Sequence, residues 1–142
     1  MAEELKARIK QGFEGYGDPD VLEEVFATDV VIHRPPLPDL VGMEAFKEWG
    51  AGVAQAYTNP RIIVHEIIME GSTGALRGAW QGEHTGSSPL VDVPPTGKLV
   101  VSQLCAFFRA ENDKIVELWW VQDWLGLFMQ IGAVPPLGGG KG

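Results

Sequence analysis

Residues 112–132 read NDKIVELWWVQDWLGLFMQIG, and the fold follows from how this stretch divides. Asn112-Asp113 is a turn signal. The run through Gln122 alternates with strand period: Ile115, Glu117, Trp119, Val121 and Asp123 fall on one side, and Val116, Leu118, Trp120 and Gln122 on the other. Both sets are largely apolar, so the strand belongs inside a domain rather than at a half-solvated edge. Trp124 to Ile131 continues as a short amphipathic helix. Asp123 stands at the junction, on the side of Trp119 and Val121. A carboxylate among tryptophans is costly unless it is paired, wetted by a cleft or held protonated. The Trp119 side is therefore expected to face a ligand pocket.

Working outward, Lys98 to Arg109 is a second long strand, joined to the first by a turn at Glu111 to Asp113. Thr73 to His84 and Arg61 to Glu70 are separated by Gly71-Ser72, a hairpin signal. Gly86, Pro89, Pro94 and Pro95 make Thr85 to Thr96 a loop. The N-terminal half predicts helices: Glu3 to Phe13, with Leu5, Ile9 and Phe13 on one stripe; a short one from the Asp18-Pro19 cap to about Ala27; and Met43 to Tyr57, with Phe46, Trp49, Val53 and Ala56 apolar. Val30 to His33 is a short strand stopped by Pro35-Pro36. Helices first and consecutive antiparallel strands after predict an α+β fold. A curved antiparallel sheet would carry its helices on one face and enclose a conical pocket. One domain is expected over 1–133, followed by a loose Pro- and Gly-rich tail over 134–142.

At 142 residues the chain is long enough for one substantial core. A formal net charge of -8 argues against a nucleic-acid backbone as partner. The one cysteine, Cys105, excludes an intrachain disulfide and a thiolate cluster. The charged start MAEELKARIK is no signal peptide, and no apolar run reaches the roughly 20 residues of a membrane span. A soluble cytoplasmic protein is expected.

A pattern runs through the second half: Arg77-x₄-Gly82-Glu83-His84-Thr85-Gly86, Pro94-Pro95-Thr96-Gly97-Lys98, Phe108-Arg109, Lys114-Ile115-x-Glu117-x-Trp119-x₃-Asp123 and Leu127-x₂-Gln130-x-Gly132. In order and spacing it resembles the SnoaL-like polyketide cyclase (ester cyclase) family of the NTF2-like superfamily, over roughly Val30 to Ala133. The resemblance implies an α+β cone with an internal pocket and a cofactor-free intramolecular aldol cyclisation. It also implies that the aspartate at the position of Asp123 is the general acid/base. Leu118 stands where many relatives carry a histidine.

Asp123 is thus the catalytic candidate, since one carboxylate in an apolar cavity can both remove and return a proton. It also directly precedes a helix, where Asp is a favoured N-cap. His84 is a candidate polar helper, provided that a bulge allowed by Gly78, Gly82 and Gly86 re-aims it; a strand-end histidine bonded to the backbone is the alternative. His33 is placed at the pocket mouth. Arg77 and Arg109 suit an anionic group or a structural ion pair, and Trp49, Trp80, Trp119 and Trp124 suit either the core or an aromatic cavity for a flat ligand. The spacing of His33, His65 and His84 matches no metal signature, and no phosphate loop or nucleophile elbow occurs. No metal and no cofactor are expected.

The expected function is acid/base catalysis on a small, mostly apolar carbonyl compound; the alternatives are non-catalytic binding of such a molecule or another NTF2-like activity, such as isomerisation, dehydration or epoxide opening. Val116, Leu118 and Trp120, with Val100, Leu104 and Phe108, would form a second apolar face turned away from the pocket. That face predicts a homodimer.

Overall fold

The computed structural model describes residues 2–88 and 90–138; Pro89 of the loop and residues 139–142 of the expected tail lie outside the described residues. Helix α1 (Ala2–Glu14) opens with Glu3 and Glu4 in its first turn, where the helix dipole favours acids, and buries Ile9 and Phe13. The Asp18 carboxylate accepts the Asp20 N–H at 3.0 Å, and Pro19 starts α2 (Pro19–Val25). Strand β1 (Phe26–Arg34) turns through Pro35-Pro36 into β2 (Leu37–Val41), so the prolines make the turn between two paired strands. After α3 (Met43–Ala56) come β3 (Tyr57–Glu70), β4 (Thr73–His84), β5 (Leu99–Glu111), β6 (Lys114–Gln122) and α4 (Trp124–Gln130).

The six strands form one curved, unclosed sheet in the order β2-β1-β6-β5-β4-β3. The expected antiparallel meander holds from β3 to β6, but β6 meets β1 in parallel, at Val31↔Glu117 to His33↔Trp119. The first strand enters the sheet long before the last, so local turns do not dictate that pairing. Shared burial of Val30, Ile32, Ile115 and Leu118 does.

The two sides of β6 are the reverse of the expected ones. Leu118 (0% exposed), Trp120 (5%) and Gln122 face the helices, whereas Val121 (55%) and Trp119 face away. On β5, Val100, Leu104 and Phe108 likewise point inward. Two features decide this. β6 carries one extra residue opposite the Arg109/Ala110 step, so both Ile115 and Leu118 reach the core. Trp120 then packs between α1 and α3, stacked on Phe13 (6.1 Å, 19°) and edge-on to Trp49 (5.8 Å). Alternation separates two sets of side chains, and only the helices give the sets an inside and an outside.

β4 and β5 pair without interruption from Thr73↔Arg109 to Glu83↔Leu99, so no bulge re-aims β4. Its inward glycines make room for larger neighbours: a Cβ on Gly74 would lie 2.5 Å from the ring of Phe108. Beyond the last β5–β6 pair, Gln130 of α4 takes over the free edge. It accepts the Val101 N–H (3.0 Å) and donates to the Val101 carbonyl (2.7 Å), holding α4 against β5.

Candidate active site

Between the helices and the sheet lies a cavity of about 310 Å³. Its wall is chiefly aromatic: Phe13, Phe26, Phe46, Trp49, Trp80, Trp120, Trp124 and Phe128 contribute, with Leu90 and Ser88 from the 85–98 loop. The volume suits a small aromatic-sized molecule, and an apolar wall with few polar groups is the usual form of such a site. The helices supply one side because their apolar stripes face the sheet, and the inward residues of β4 and β6 supply the other.

The polar groups in the wall are few. Tyr16, in the turn after α1, accepts the Trp80 indole N–H at 2.8 Å. Its own hydroxyl proton has no acceptor among the described residues. Burial pushes the Tyr16 phenol up to about 12, with the Trp80 hydrogen bond opposing. Gln122 accepts the Trp120 N–H at 2.9 Å, so its carbonyl is occupied and its NH₂ is left as a donor. Arg34 lies with its guanidinium carbon 5.0 Å from the Trp49 ring centroid and donates from Nε to the Pro38 carbonyl. Glu48, exposed on α3, is the carboxylate of the wall.

Of the residues singled out in the sequence, Trp49, Trp80 and Trp124 line this cavity. Asp123 does not. Its side chain is exposed and accepts the Gly126 N–H at 2.8 Å, capping α4. Gly126 leaves room for the cap, since a Cβ there would lie 2.1 Å from the Asp123 carboxylate and displace it. The backbone of Asp123 is pinned as well, donating to the Gln103 carbonyl and accepting from the Ser102 hydroxyl.

Arg77, Arg109, Trp119 and His33 lie on the opposite face of the sheet, because the phase of their strands turns them outward. Arg77 pairs with Glu66 (2.9 Å), and Arg109 pairs with Glu111 and Glu117. His33 stacks on Trp119 (5.2 Å) and is held between Glu117 (2.8 Å at Nε2) and Asp39 (3.1 Å at Nδ1). The hydrogen bond to Glu117 raises the His33 imidazole above its ordinary value, with Asp39 adding to it, and the same bond to His33 holds Glu117 below the usual carboxylate range.

His84 ends β4 on the inner side by simple alternation, fully buried beside Tyr57. It is a clamp on the loop. Its Nδ1 accepts the Thr96 N–H (3.1 Å), its backbone N–H donates to the Lys98 carbonyl (2.8 Å), and its carbonyl accepts from Gly97 (2.7 Å). With Nδ1 as acceptor, Nε2 carries the proton, and that atom has no partner among the described residues. Burial lowers the His84 imidazole below its ordinary value.

Tyr16, Arg34, Glu48 and Gln122 were not legible as site residues. Tyr16 sits in a Gly15-Tyr16-Gly17 break with no periodicity, and Arg34 ends a strand. The one signal in the sequence is Gln122, a polar residue on an otherwise apolar strand, and it faces inward rather than away from the pocket.

An open, curved α+β sheet closed by helices over an aromatic cavity is the NTF2-like architecture. The family model for SnoaL-like polyketide cyclases matches residues 7–131, and the chain belongs to that family. A candidate SnoaL-like polyketide cyclase from Jannaschia sp. CCS1 is 20% identical, with 92% of this chain and 96% of that one covered, at TM-score 0.77. AclR, a candidate hydroxylase from Streptomyces galilaeus, is 21% identical over 96% and 88% at TM-score 0.78. IdmH, a candidate polyketide cyclase from Streptomyces antibioticus, is 25% identical over 92% and 97% at TM-score 0.76. Among curated proteins no match is found. No described helix is long and apolar enough to cross a membrane.

Proposed function

We propose that this chain is a cyclase-type acid/base catalyst that closes, by aldol chemistry, a ring in a small and mostly apolar carbonyl compound held in the aromatic cavity. The observation that carries this is the Tyr16 hydroxyl. Trp80 occupies its acceptor side, and its proton is left to donate within an apolar wall. With its pKa near 12 the phenol stays protonated at working pH. A donor already oriented toward a carbonyl oxygen stabilises the charge that develops there as the enolate forms, without reorganising at that moment. Aldol closure also needs a base for the carbon acid and an acid for the new alkoxide. Glu48 is the carboxylate in the cavity wall and takes the first proton; Tyr16 or the returning Glu48 proton serves the second. Asp123 acts through α4, whose Trp124 and Phe128 shape the wall.

The test is retro-aldol cleavage of a fluorogenic naphthyl β-hydroxyketone, which uses the same groups in reverse. Tyr16→Phe should lower kcat/KM by roughly 10²–10³-fold, the scale of losing one oxyanion donor. Glu48→Gln should lower it by roughly 10²–10⁴-fold. Unchanged rates in both variants would overturn the proposal. A second possibility, binding without turnover, is favoured by one observation: Asp123 is pinned outside the cavity, which leaves Glu48 as the carboxylate of the wall among the described residues. It predicts quenching of tryptophan fluorescence by the naphthyl ketone with no cleavage.

We also propose self-association. The outer face of the sheet exposes Ile68 (61%), Phe107 (49%) and Val121 (55%) around one shallow depression, which a second copy would cover.

A further inference from the structure

Among the charged groups of the cavity, Arg34 stands apart. On the outer face of the sheet several acid–base residues pair with one another: Arg77 with Glu66, Arg109 with Glu111 and Glu117, and His33 with Glu117 and Asp39. Arg34 has no carboxylate within 4 Å among the described residues, although Glu48 lines the same cavity and Asp39 lies on the neighbouring strand. Its Nε is tied to the Pro38 carbonyl at 2.9 Å, and the Trp49 ring lies 5.0 Å from its guanidinium carbon. Those two contacts fix the plane of the guanidinium and leave both terminal nitrogens unbonded among the described residues. Trp124 closes the same corner, donating its N–H to the Pro35 carbonyl at 3.0 Å, one residue along the chain from Arg34.

We infer that Arg34 anchors an anionic end of the ligand, so that the cavity takes a molecule with an apolar aromatic body and one planar carboxylate. This deepens the proposed function and rests on its assignment of the cavity as the site. A planar guanidinium with two parallel N–H donors matches a carboxylate in two hydrogen bonds, and such charge-assisted pairs are about twice as strong as neutral ones. Partial burial adds to the case, because a cation facing apolar walls is stabilised by an anion that displaces its remaining water. It is also a local exception to a chain whose net charge is -8, which would otherwise repel an anionic ligand. The carboxylate end is not a reacting group here. It sets which way round the body lies, and hence which carbonyl meets Tyr16.

The experiment compares naphthoate with naphthamide, which have the same shape and differ in charge, by quenching of tryptophan fluorescence at neutral pH. Wild-type protein should bind naphthoate about 10-fold or more tightly than naphthamide, the factor expected of one charge-assisted pair. Arg34→Gln should bring the ratio to about 1 while changing naphthamide affinity little, and Arg34→Lys should keep part of the preference. A purely structural Arg34 would lower the melting temperature and leave the ratio intact, which overturns the inference. Equal or weaker binding of naphthoate by wild-type protein overturns it without reference to any variant. If neither compound binds, the cavity assignment falls with it. If naphthamide binds and naphthoate binds no better, only the anionic anchor falls. A carboxylate preference abolished by Arg34→Gln supports the anchor even where Tyr16→Phe leaves retro-aldol turnover unchanged.

Discussion

Replacing Asp123 separates a helix cap from a catalytic acid, and the structure sets the expected size of each effect. The carboxylate accepts one hydrogen bond, from the Gly126 N–H at 2.8 Å, and is otherwise exposed. The Asn side-chain oxygen can accept the same bond, and Asn caps about as well as Asp, so Asp123→Asn should shift stability by only a few tenths of a kcal/mol. Asp123→Ala removes the acceptor and should cost about 1 kcal/mol. For a chain of this length that corresponds to a fall in melting temperature of about 3 °C. Gly126→Ala should cost at least as much from the other side, because its Cβ would lie 2.1 Å from the carboxylate. Thermal melts and retro-aldol turnover are measured on the same preparations. The expected result is a small stability series, Asn less than Ala, with turnover in Asp123→Asn within a few-fold of wild type. A normal melt with turnover reduced by roughly 10²–10⁴-fold in Asp123→Asn would refute the assignment of chemistry to Tyr16 and Glu48 and return the acid/base role to Asp123.

His33 and His84 should tilt stability in opposite directions with pH. His33 has its pKa raised above 6.5 by Glu117 and Asp39, so its contribution is complete below about pH 6.5 and is lost as pH rises through the raised folded value; His33→Gln should flatten that fall in melts recorded from pH 6 to 9. His84 has its pKa lowered by burial, so its neutral form is fully compatible with folding above 6.5 and stability falls as pH drops below that value; His84→Gln should weaken this acid-side loss. His84→Ala should also free the Thr96 N–H, seen as faster amide exchange at Thr96 and Gly97 and a stability loss of about 1–3 kcal/mol. Sedimentation equilibrium should give a dimer that Phe107→Glu converts to monomer, and a wild-type monomer at micromolar concentration would end the self-association proposal.

Much of this molecule was determined by local sequence. The stripe Leu5, Ile9 and Phe13, the Asp18-Pro19 cap, the Gly71-Ser72 hairpin and the turn before Lys114 each produced the element expected of them, because helix periodicity, capping and turn chemistry act over a few residues. The family pattern after Arg77 led to the architecture. What the sequence could not carry was the sign of the sheet. With Trp119 and Trp120 adjacent, both faces of β6 are apolar, and period-two alternation is blind to which one a helix will cover. One extra residue in β6 and the packing of Trp120 against Phe13 and Trp49 made that choice. From it followed the outward turn of Trp119, Arg109 and Glu117 and the inward turn of Gln122. The partners Tyr16–Trp80 and Arg34–Trp49 are 64 and 15 positions apart along the chain. No local rule joins such residues; they meet because the helices bury their stripes against one face of the sheet, and only the closed tertiary structure has that face.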